Sequence, residues 1–156
     1  MLSRAVVALL WFLHFLPLSI LAMIGNGLGS LLFRFAKKRR HIVHTNLALC
    51  FPELDDAARK TLALKHFRVL GRSMLERSLF WWARRERLQR LIRVEGEENV
   101  HALRDAGKPV LLLAPHFVSL DAGGAAVAMR FDCVSIYAEQ NNPVFCLLYT
   151  SDAADE

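Results

Sequence analysis

The chain of 156 residues has room for about one domain, and its composition narrows the class of protein. The hydrophobic fraction of 54% exceeds the roughly 45–50% of typical soluble domains, and the formal net charge is +5. The three cysteines, Cys50, Cys133 and Cys146, show neither a CxxC pair nor a metal-binding cluster with histidine. The composition therefore argues against a disulfide-stabilised scaffold and fits free thiols in the cytoplasm.

The first 36 residues carry much of the excess hydrophobicity. From Ala5 to Phe33 no side chain is charged, and these 29 positions exceed the ~20 that a helix needs to cross a bilayer core. Arg4 precedes the stretch, and the basic cluster Lys37–Arg40 follows it. By the positive-inside rule, this cluster favours a cytoplasmic position for residues 37 onward.

Three interpretations compete for this segment. A cleaved signal peptide is disfavoured, because the apolar stretch is longer than the usual ~7–15 residues and a basic cluster closes it. A buried core helix is the second, and a retained membrane anchor over residues 1–36 is the one we expect. Pro17 and the glycines Gly25, Gly27 and Gly29 should bend or break the segment, so a straight span and a re-entrant insertion both stay open. His14 is expected to be a tolerated polar residue.

Basic residues dominate the next part of the chain. Between Arg59 and Arg93 there are eleven Lys and Arg against two Glu. One interpretation is a solvated helix face, and the other is a surface for anionic lipid head groups beside the anchor. Nucleic acid is not expected as a partner, since no zinc-finger, RNP-type or helix-turn-helix signature accompanies the charge.

Helical patterns follow the basic cluster. Leu54-Asp55-Asp56 offers N-cap chemistry, and apolar positions three and four apart predict a helix from Ala57 to about Arg85. The Phe80-Trp81-Trp82 cluster near its end suits either a core or a membrane interface. Shorter helices are predicted at Arg87–Ile92 and at Glu97–Asp105, the second closed by Gly107.

The remaining elements predict a βαβ unit. Pro109–Ala114 is a continuous apolar run, typical of a strand buried in a parallel sheet. A helix should follow from near Ser119 to about Met129, and Val134–Ala138 should be the next strand. The predicted class is therefore α/β: an anchor helix, then further helices, then the first βαβ portion of a larger domain.

A histidine and a carboxylate both follow the end of the first predicted strand. Histidine is the side chain whose ordinary pKa lies closest to neutrality, and a carboxylate can orient it and stabilise the imidazolium. His116 and Asp121 are five residues apart, so a dyad requires a turn between them, which a strand-to-helix junction supplies. The alternative is a structural pair that caps the helix. Open α/β sheets bind ligands at this edge, and N–H groups at a helix N-terminus can hold a developing oxyanion.

The sequence resembles the bacterial lipid A late acyltransferases of the lauroyl and myristoyl type, within the HX4D/E glycerolipid acyltransferases. The resemblance covers about residues 1–145. Its matching residues are Asn46-Leu47, Cys50-Phe51-Pro52-Glu53, Leu113-Ala114-Pro115-His116-Phe117, Leu120-Asp121, Ile136-Tyr137, Gln140 and Asn142-Pro143.

This resemblance implies an enzyme anchored in the bacterial inner membrane, with its catalytic part on the cytoplasmic face. It would move a fatty acyl chain from acyl carrier protein to a hydroxyl of a lipid A precursor. His116 would be the general base and Asp121 its orienting partner. No metal and no bound cofactor would be required, and the basic surface would meet two anionic partners, the carrier protein and the phosphorylated glycolipid.

Two other functions are consistent with the residues. One is an HX4D acyltransferase acting on a lysophospholipid or another glycolipid. The glycerol-3-phosphate branch fits less well, because Pro115 precedes the histidine and the serine follows it by three residues rather than two. The other is a non-catalytic module that binds membrane surfaces, in which the His116–Asp121 pair only caps a helix.

The last eleven residues, 146–156, differ in character from the rest. They lack apolar periodicity and look like a translated sequencing adapter, so we expect a non-native tail. The expected organisation is an anchor (1–36), the N-terminal part of an acyltransferase domain (37–145) and this tail. Members of the family continue well beyond this point, so the chain is expected to be a truncated and inactive fragment.

Overall fold

Helices account for all the regular secondary structure that the computed structural model describes, which covers residues 2–118 and 120–134. In chain order they are α1 (Leu2–Leu13), α2 (Leu18–Phe35), α3 (Lys37–Cys50), α4 (Asp56–Trp82), α5 (Arg85–Leu91), α6 (Glu97–Asp105) and α7 (Leu120–Ala128). The chain divides into two units, Met1–Leu79 and Phe80–Glu156. The core of the first unit is built mainly by α2 and α4, and includes Leu21, Phe67 and Leu79.

The predicted break at Pro17 is confirmed. α1 ends at Leu13, and α2 begins directly after Pro17, whose φ of −56° suits a helix start. His14 follows α1 in the sequence and is buried. Its Nδ1 hydrogen-bonds the Trp11 carbonyl oxygen at the end of α1. This contact satisfies one of the carbonyls that a helix C-terminus leaves unpaired, so His14 has a local structural role.

The prediction that the glycines break the segment is wrong. Gly25, Gly27 and Gly29 all lie inside the continuous helix α2. Gly25 and Gly29 are buried against α4, where Gly71 faces them. An added Cβ on Gly25, Gly29 or Gly71 would lie within 3 Å of the backbone of the other helix. The glycines therefore permit a close helix crossing, which tertiary contact maintains despite their low helix propensity.

α3 is an element that the sequence interpretation did not assign. The basic cluster Lys37–Arg40 forms its first turn, and Arg40 reaches back to α2. The Arg40 Nη1 donates to the Phe33 carbonyl oxygen at 2.9 Å, and the guanidinium lies 5.4 Å from the centre of the Phe33 ring. A cation at the C-terminal end of a helix is favoured by the helix dipole, so Arg40 helps to end α2.

The expected N-cap of α4 is confirmed. The Ala58 backbone N–H donates to Asp55 Oδ1 at 2.7 Å, and the Arg59 N–H donates to the Asp55 carbonyl oxygen at 3.0 Å. The side chain of Asp55 thus satisfies one of the free N–H groups of the first turn. The helix ends at Trp82, three residues before the predicted end, and the half-buried Trp81 and Trp82 rings meet edge to face at 5.4 Å.

Replacing the α4 cap should weaken the first unit measurably. Asp55→Ala removes the acceptor of the Ala58 N–H and is expected to lower the free energy of unfolding by about 1 kcal/mol. Asp55→Asn keeps an acceptor oxygen and should cost less. Chemical denaturation of the two variants in detergent, followed by circular dichroism, checks this. Equal stability of the two variants would contradict the capping role.

The predicted helix Glu97–Asp105 is confirmed as α6, including its end at Gly107. The Gly107 N–H donates to the Arg104 carbonyl at 2.8 Å, and the Lys108 N–H donates to the Leu103 carbonyl at 3.0 Å. This pair of bonds is a Schellman motif, and it needs the left-handed φ of +69° that glycine adopts without strain.

The strand predicted over Pro109–Ala114 is not present in the structure. This segment has no regular secondary structure, and Leu111 and Leu113 are 94% and 93% exposed rather than buried. A strand is stable only when it pairs with a neighbouring strand. The described residues contain no other strand with which residues 109–114 could pair. Val134, the first residue of the second predicted strand, is 98% exposed, and residues 135–138 lie outside the described ranges. The α/β class thus stays a prediction.

Candidate functional site

The chain turns sharply at His116. The Phe117 N–H donates to the Pro115 carbonyl oxygen at 2.8 Å, an i to i+2 bond that closes a γ-turn with His116 at its centre. The proline also restricts the backbone of the preceding residue to extended conformations. His116 is exposed in the structure, so its imidazole is accessible to a ligand from solution.

Asp121 follows His116 by five residues and lies in the first turn of α7. The Leu120 N–H donates to the Phe117 carbonyl at 3.1 Å, which leads the chain into the helix. Asp121 is the acidic residue of the first turn of α7 and is half-buried. A carboxylate at this position is favoured by the helix dipole. The turn expected between His116 and Asp121 is present, while the use of the two side chains as a catalytic dyad stays a prediction.

The far end of α7 is held by side chains from α5 and α6. Arg85 donates to the Met129 carbonyl oxygen, which lies just beyond the C-terminus of α7. Arg130 forms an ion pair with Glu97 of α6 at 2.9 Å and also donates to the Ala126 carbonyl at 3.2 Å. These contacts position α7, and with it the turn that carries Asp121. No spacing rule in the sequence links Arg85 or Glu97 to α7, because they come from separate helices.

The residues next to His116 in the sequence are apolar. Leu111 and Leu113 precede it, and Phe117, which follows it, is 74% exposed. An accessible imidazole beside apolar side chains can accept a proton from a hydroxyl group that is carried on a lipid. Within residues 2–118 and 120–134, no cluster of three or more His, Cys, Asp or Glu side chains could hold a metal ion. Cys50 and Cys133 are free and exposed.

The basic residues between Arg59 and Arg93 are divided between the two units. Six lie on α4 within the first unit, and five lie in the second. Some of them have structural partners: Arg68 of α4 donates to Ser30 of α2, and Arg85 holds α7. These two basic residues therefore have packing roles, while the choice between a solvated face and a lipid-binding surface stays a prediction.

Sequence comparison identifies relatives over nearly the whole chain. The family model described as bacterial lipid A biosynthesis acyltransferase matches residues 1–152. The chain is 32% identical to the lipid A biosynthesis lauroyltransferase of Escherichia coli K12 over 144 residues, which are 92% of this chain and 47% of that protein. It is 29% identical to the palmitoleoyltransferase of the same organism, covering 87% of this chain and 44% of the relative.

A third relative is the lipid A biosynthesis myristoyltransferase of Escherichia coli K12, 28% identical over 81% of this chain and 38% of the relative. The chain spans about half the length, or less, of these curated relatives. No solved structure gives a significant match. Because the family model matches almost the whole chain, the chain belongs to the bacterial lipid A biosynthesis acyltransferase family.

Proposed function

We propose that the protein transfers a fatty acyl chain from acyl carrier protein to a hydroxyl group of a lipid A precursor. The observation that carries this proposal is the family match over residues 1–152, which includes His116 and Asp121. The relatives are named for three fatty acids, lauroyl, palmitoleoyl and myristoyl, so the chain length transferred here is left open.

His116 is the proposed general base. Its free ring nitrogen takes the proton of the acceptor hydroxyl while the oxygen attacks the thioester carbonyl carbon. The tetrahedral intermediate collapses, the carbon–sulfur bond breaks, and the imidazolium returns the proton to the leaving thiolate. Asp121 would orient the imidazole and stabilise its charged form. Backbone N–H groups in the first turn of α7 are suited to stabilise the oxyanion. The reaction needs no metal and no bound cofactor.

The proposed location is the cytoplasmic face of the bacterial inner membrane. α2 is the one described helix that is long and apolar enough to cross a membrane, by length and composition. The basic residues that follow it would attract two anionic partners, the carrier protein and the phosphorylated glycolipid. Nucleic acid is not a proposed partner.

The α/β architecture is part of the same proposal. In the complete enzyme, residues 109–114 would pair with further strands and bury Leu111 and Leu113, which are exposed here. Pairing would place His116 at the carboxyl end of a strand, the edge where open α/β sheets bind ligands. For the same reason we expect the 156-residue chain by itself to be inactive.

An acyl-transfer assay tests the proposal. A full-length enzyme that contains these residues should convert a lipid A precursor to its acylated product when supplied with acyl carrier protein thioesters, and the 156-residue chain should give no product. The product is detected by mass spectrometry. Transfer to a lysophospholipid but not to the lipid A precursor would reassign the acceptor, and transfer to neither would favour the non-catalytic membrane module. Activity of the 156-residue chain would refute the expectation that it is inactive.

A further inference from the structure

The contact between α2 and α4 lies at the middle of α2. The 18 residues of α2 measure about 27 Å at 1.5 Å per residue, close to the ~30 Å of a hydrocarbon core. Gly25 and Gly29 are its eighth and twelfth residues. If α2 crossed a bilayer, the part of α4 that touches these glycines would therefore lie near the bilayer centre.

That part of α4 is charged. An added Cβ on Gly25 would lie 2.5 Å from the Cα of Arg72, and an added Cβ on Gly29 would lie 2.5 Å from the Cα of Arg68. Arg68 Nε donates to Ser30 Oγ at 3.0 Å, and Arg72 Nε pairs with Glu76 at 3.3 Å. Both arginines are thus adjacent to the helix crossing.

A spanning α2 would carry these groups into hydrocarbon. Two guanidinium groups and the Glu76 carboxylate would then lie within about two helical turns of the bilayer centre, where ionised side chains are strongly disfavoured. A deep re-entrant insertion of α1 and α2 would have the same effect, because α4 is packed on α2 in the same unit. The crossing therefore strongly disfavours deep insertion in either form.

The side of α2 away from α4 is uncovered, and its large side chains are apolar except for Arg34 near the C-terminal end. Three large apolar side chains of α2 are more than half exposed: Met23, Leu31 and Phe35. Three more that precede α2 are exposed to the same degree: Leu9, Phe12 and Phe15. Met23 is two residues from Gly25, about 200° around the helix, so it points away from α4. α2 has α4 on one side and exposed apolar side chains on the other.

Basic side chains are concentrated in the first unit. The first unit, residues 1–79, contains twelve Lys and Arg against four Asp and Glu, a formal balance of +8, whereas the whole chain has +5. Lys37, Lys38 and Arg39 at the start of α3 are exposed. An apolar face bordered by basic side chains is complementary to the surface of an anionic bilayer.

We propose that α2 lies in the plane of the membrane surface, with its outer apolar face in the head-group and upper acyl region and α4 stacked on its water-facing side. The protein would then be held on one leaflet by the first unit without crossing the bilayer. This inference rests on the membrane association in the proposed function but not on acyl transfer, so its test contains no activity measurement.

The test compares two single-cysteine variants of the full 156-residue chain. Cys50, Cys133 and Cys146 are replaced by Ser, and then Met23→Cys or Val69→Cys is introduced. Both sites are exposed, at 67% and 44%. Met23 is on α2, and Val69 is on α4 next to Arg68, whose Cα is close to Gly29. Circular dichroism verifies that the helix content of each variant is unchanged. The vesicles contain phosphatidylethanolamine and phosphatidylglycerol.

In-plane binding predicts opposite results for the two variants. The Met23→Cys thiol should lose its reaction with a membrane-impermeant maleimide when vesicles are added, and a bimane placed there should be quenched more by lipids brominated near the head group than by lipids brominated deep in the chain. The Val69→Cys thiol should stay reactive. Deep quenching at position 23 together with loss of reactivity at position 69 would establish insertion across the core and overturn the proposal. Full reactivity at both positions would show that the unit does not bind the bilayer, which also overturns it.

Discussion

His116→Ala should lower the rate of acyl transfer by about 10²–10⁴-fold in a full-length enzyme that contains these residues, the usual contribution of a general base. The side chain is exposed in the structure, so its removal creates no cavity in the core. The loss should therefore appear in kcat with little change in thermal stability. The measurement is the initial rate of product formation under saturating acyl carrier protein thioester, with the melting temperature followed in parallel.

Two further variants test the role of Asp121 and control for the loss of a histidine. Asp121→Asn should also reduce the rate, and by no more than His116→Ala, because Asp121 would act through the imidazole. His101→Ala is the matched histidine control: His101 is exposed on α6, and its ring lies 5.1 Å from that of Phe131. It should retain activity. If His116→Ala retains the wild-type rate, the pair has only a structural role at the start of α7.

Gly71→Ala is expected to destabilise the first unit. The added methyl group would lie within 3 Å of the Gly25 carbonyl oxygen and of the Gly29 N and Cα atoms. These are backbone atoms of α2, which cannot move aside as a flexible side chain can. Overpacking of this kind costs about 1–3 kcal/mol, and rigid neighbours favour the upper end of that range. Denaturant unfolding in detergent, followed by circular dichroism, measures the difference.

Gly27→Ala is the matched control for this substitution. Gly27 is in α2 between the two contact glycines, but nothing lies within 4 Å of the position of its added Cβ. Since alanine has the higher helix propensity, this variant should gain about 0.5–1 kcal/mol. Opposite signs for Gly71→Ala and Gly27→Ala would verify the close crossing. A stabilising effect of Gly71→Ala would show that the helices are not in backbone contact, and the argument against deep insertion would then fail.

Local signals in the sequence predicted several helix ends well. The cap at Asp55, the break at Pro17 and the Schellman end at Gly107 each depend on one residue and its immediate neighbours along the chain. Such interactions recur wherever the same residues occur at the same spacing, because the backbone groups they satisfy are a few residues away. For this reason the bounds of α6 agree with the prediction.

The glycines of α2 show where local interpretation fails. Glycine is a poor helix former, and three in five residues suggested a bend. The four-residue spacing of Gly25 and Gly29 was the available signal, since it places both on one face where a second helix can approach. The partner, Gly71, is more than 40 residues away, and nothing in the local pattern connects it to α2.

Residue identity and short spacings were enough to indicate the family, the apolar N-terminal segment, several helix ends and the position of His116 before Asp121. The covered face of α2 could be identified only from the packed helices, because it depends on the contact of the α2 glycines with Gly71 and on the arginines next to Gly71. That contact changes the interpretation of a segment that composition alone would allow to span a membrane. Strand pairing is also non-local, and for the same reason the apolar run before His116 did not by itself establish a sheet.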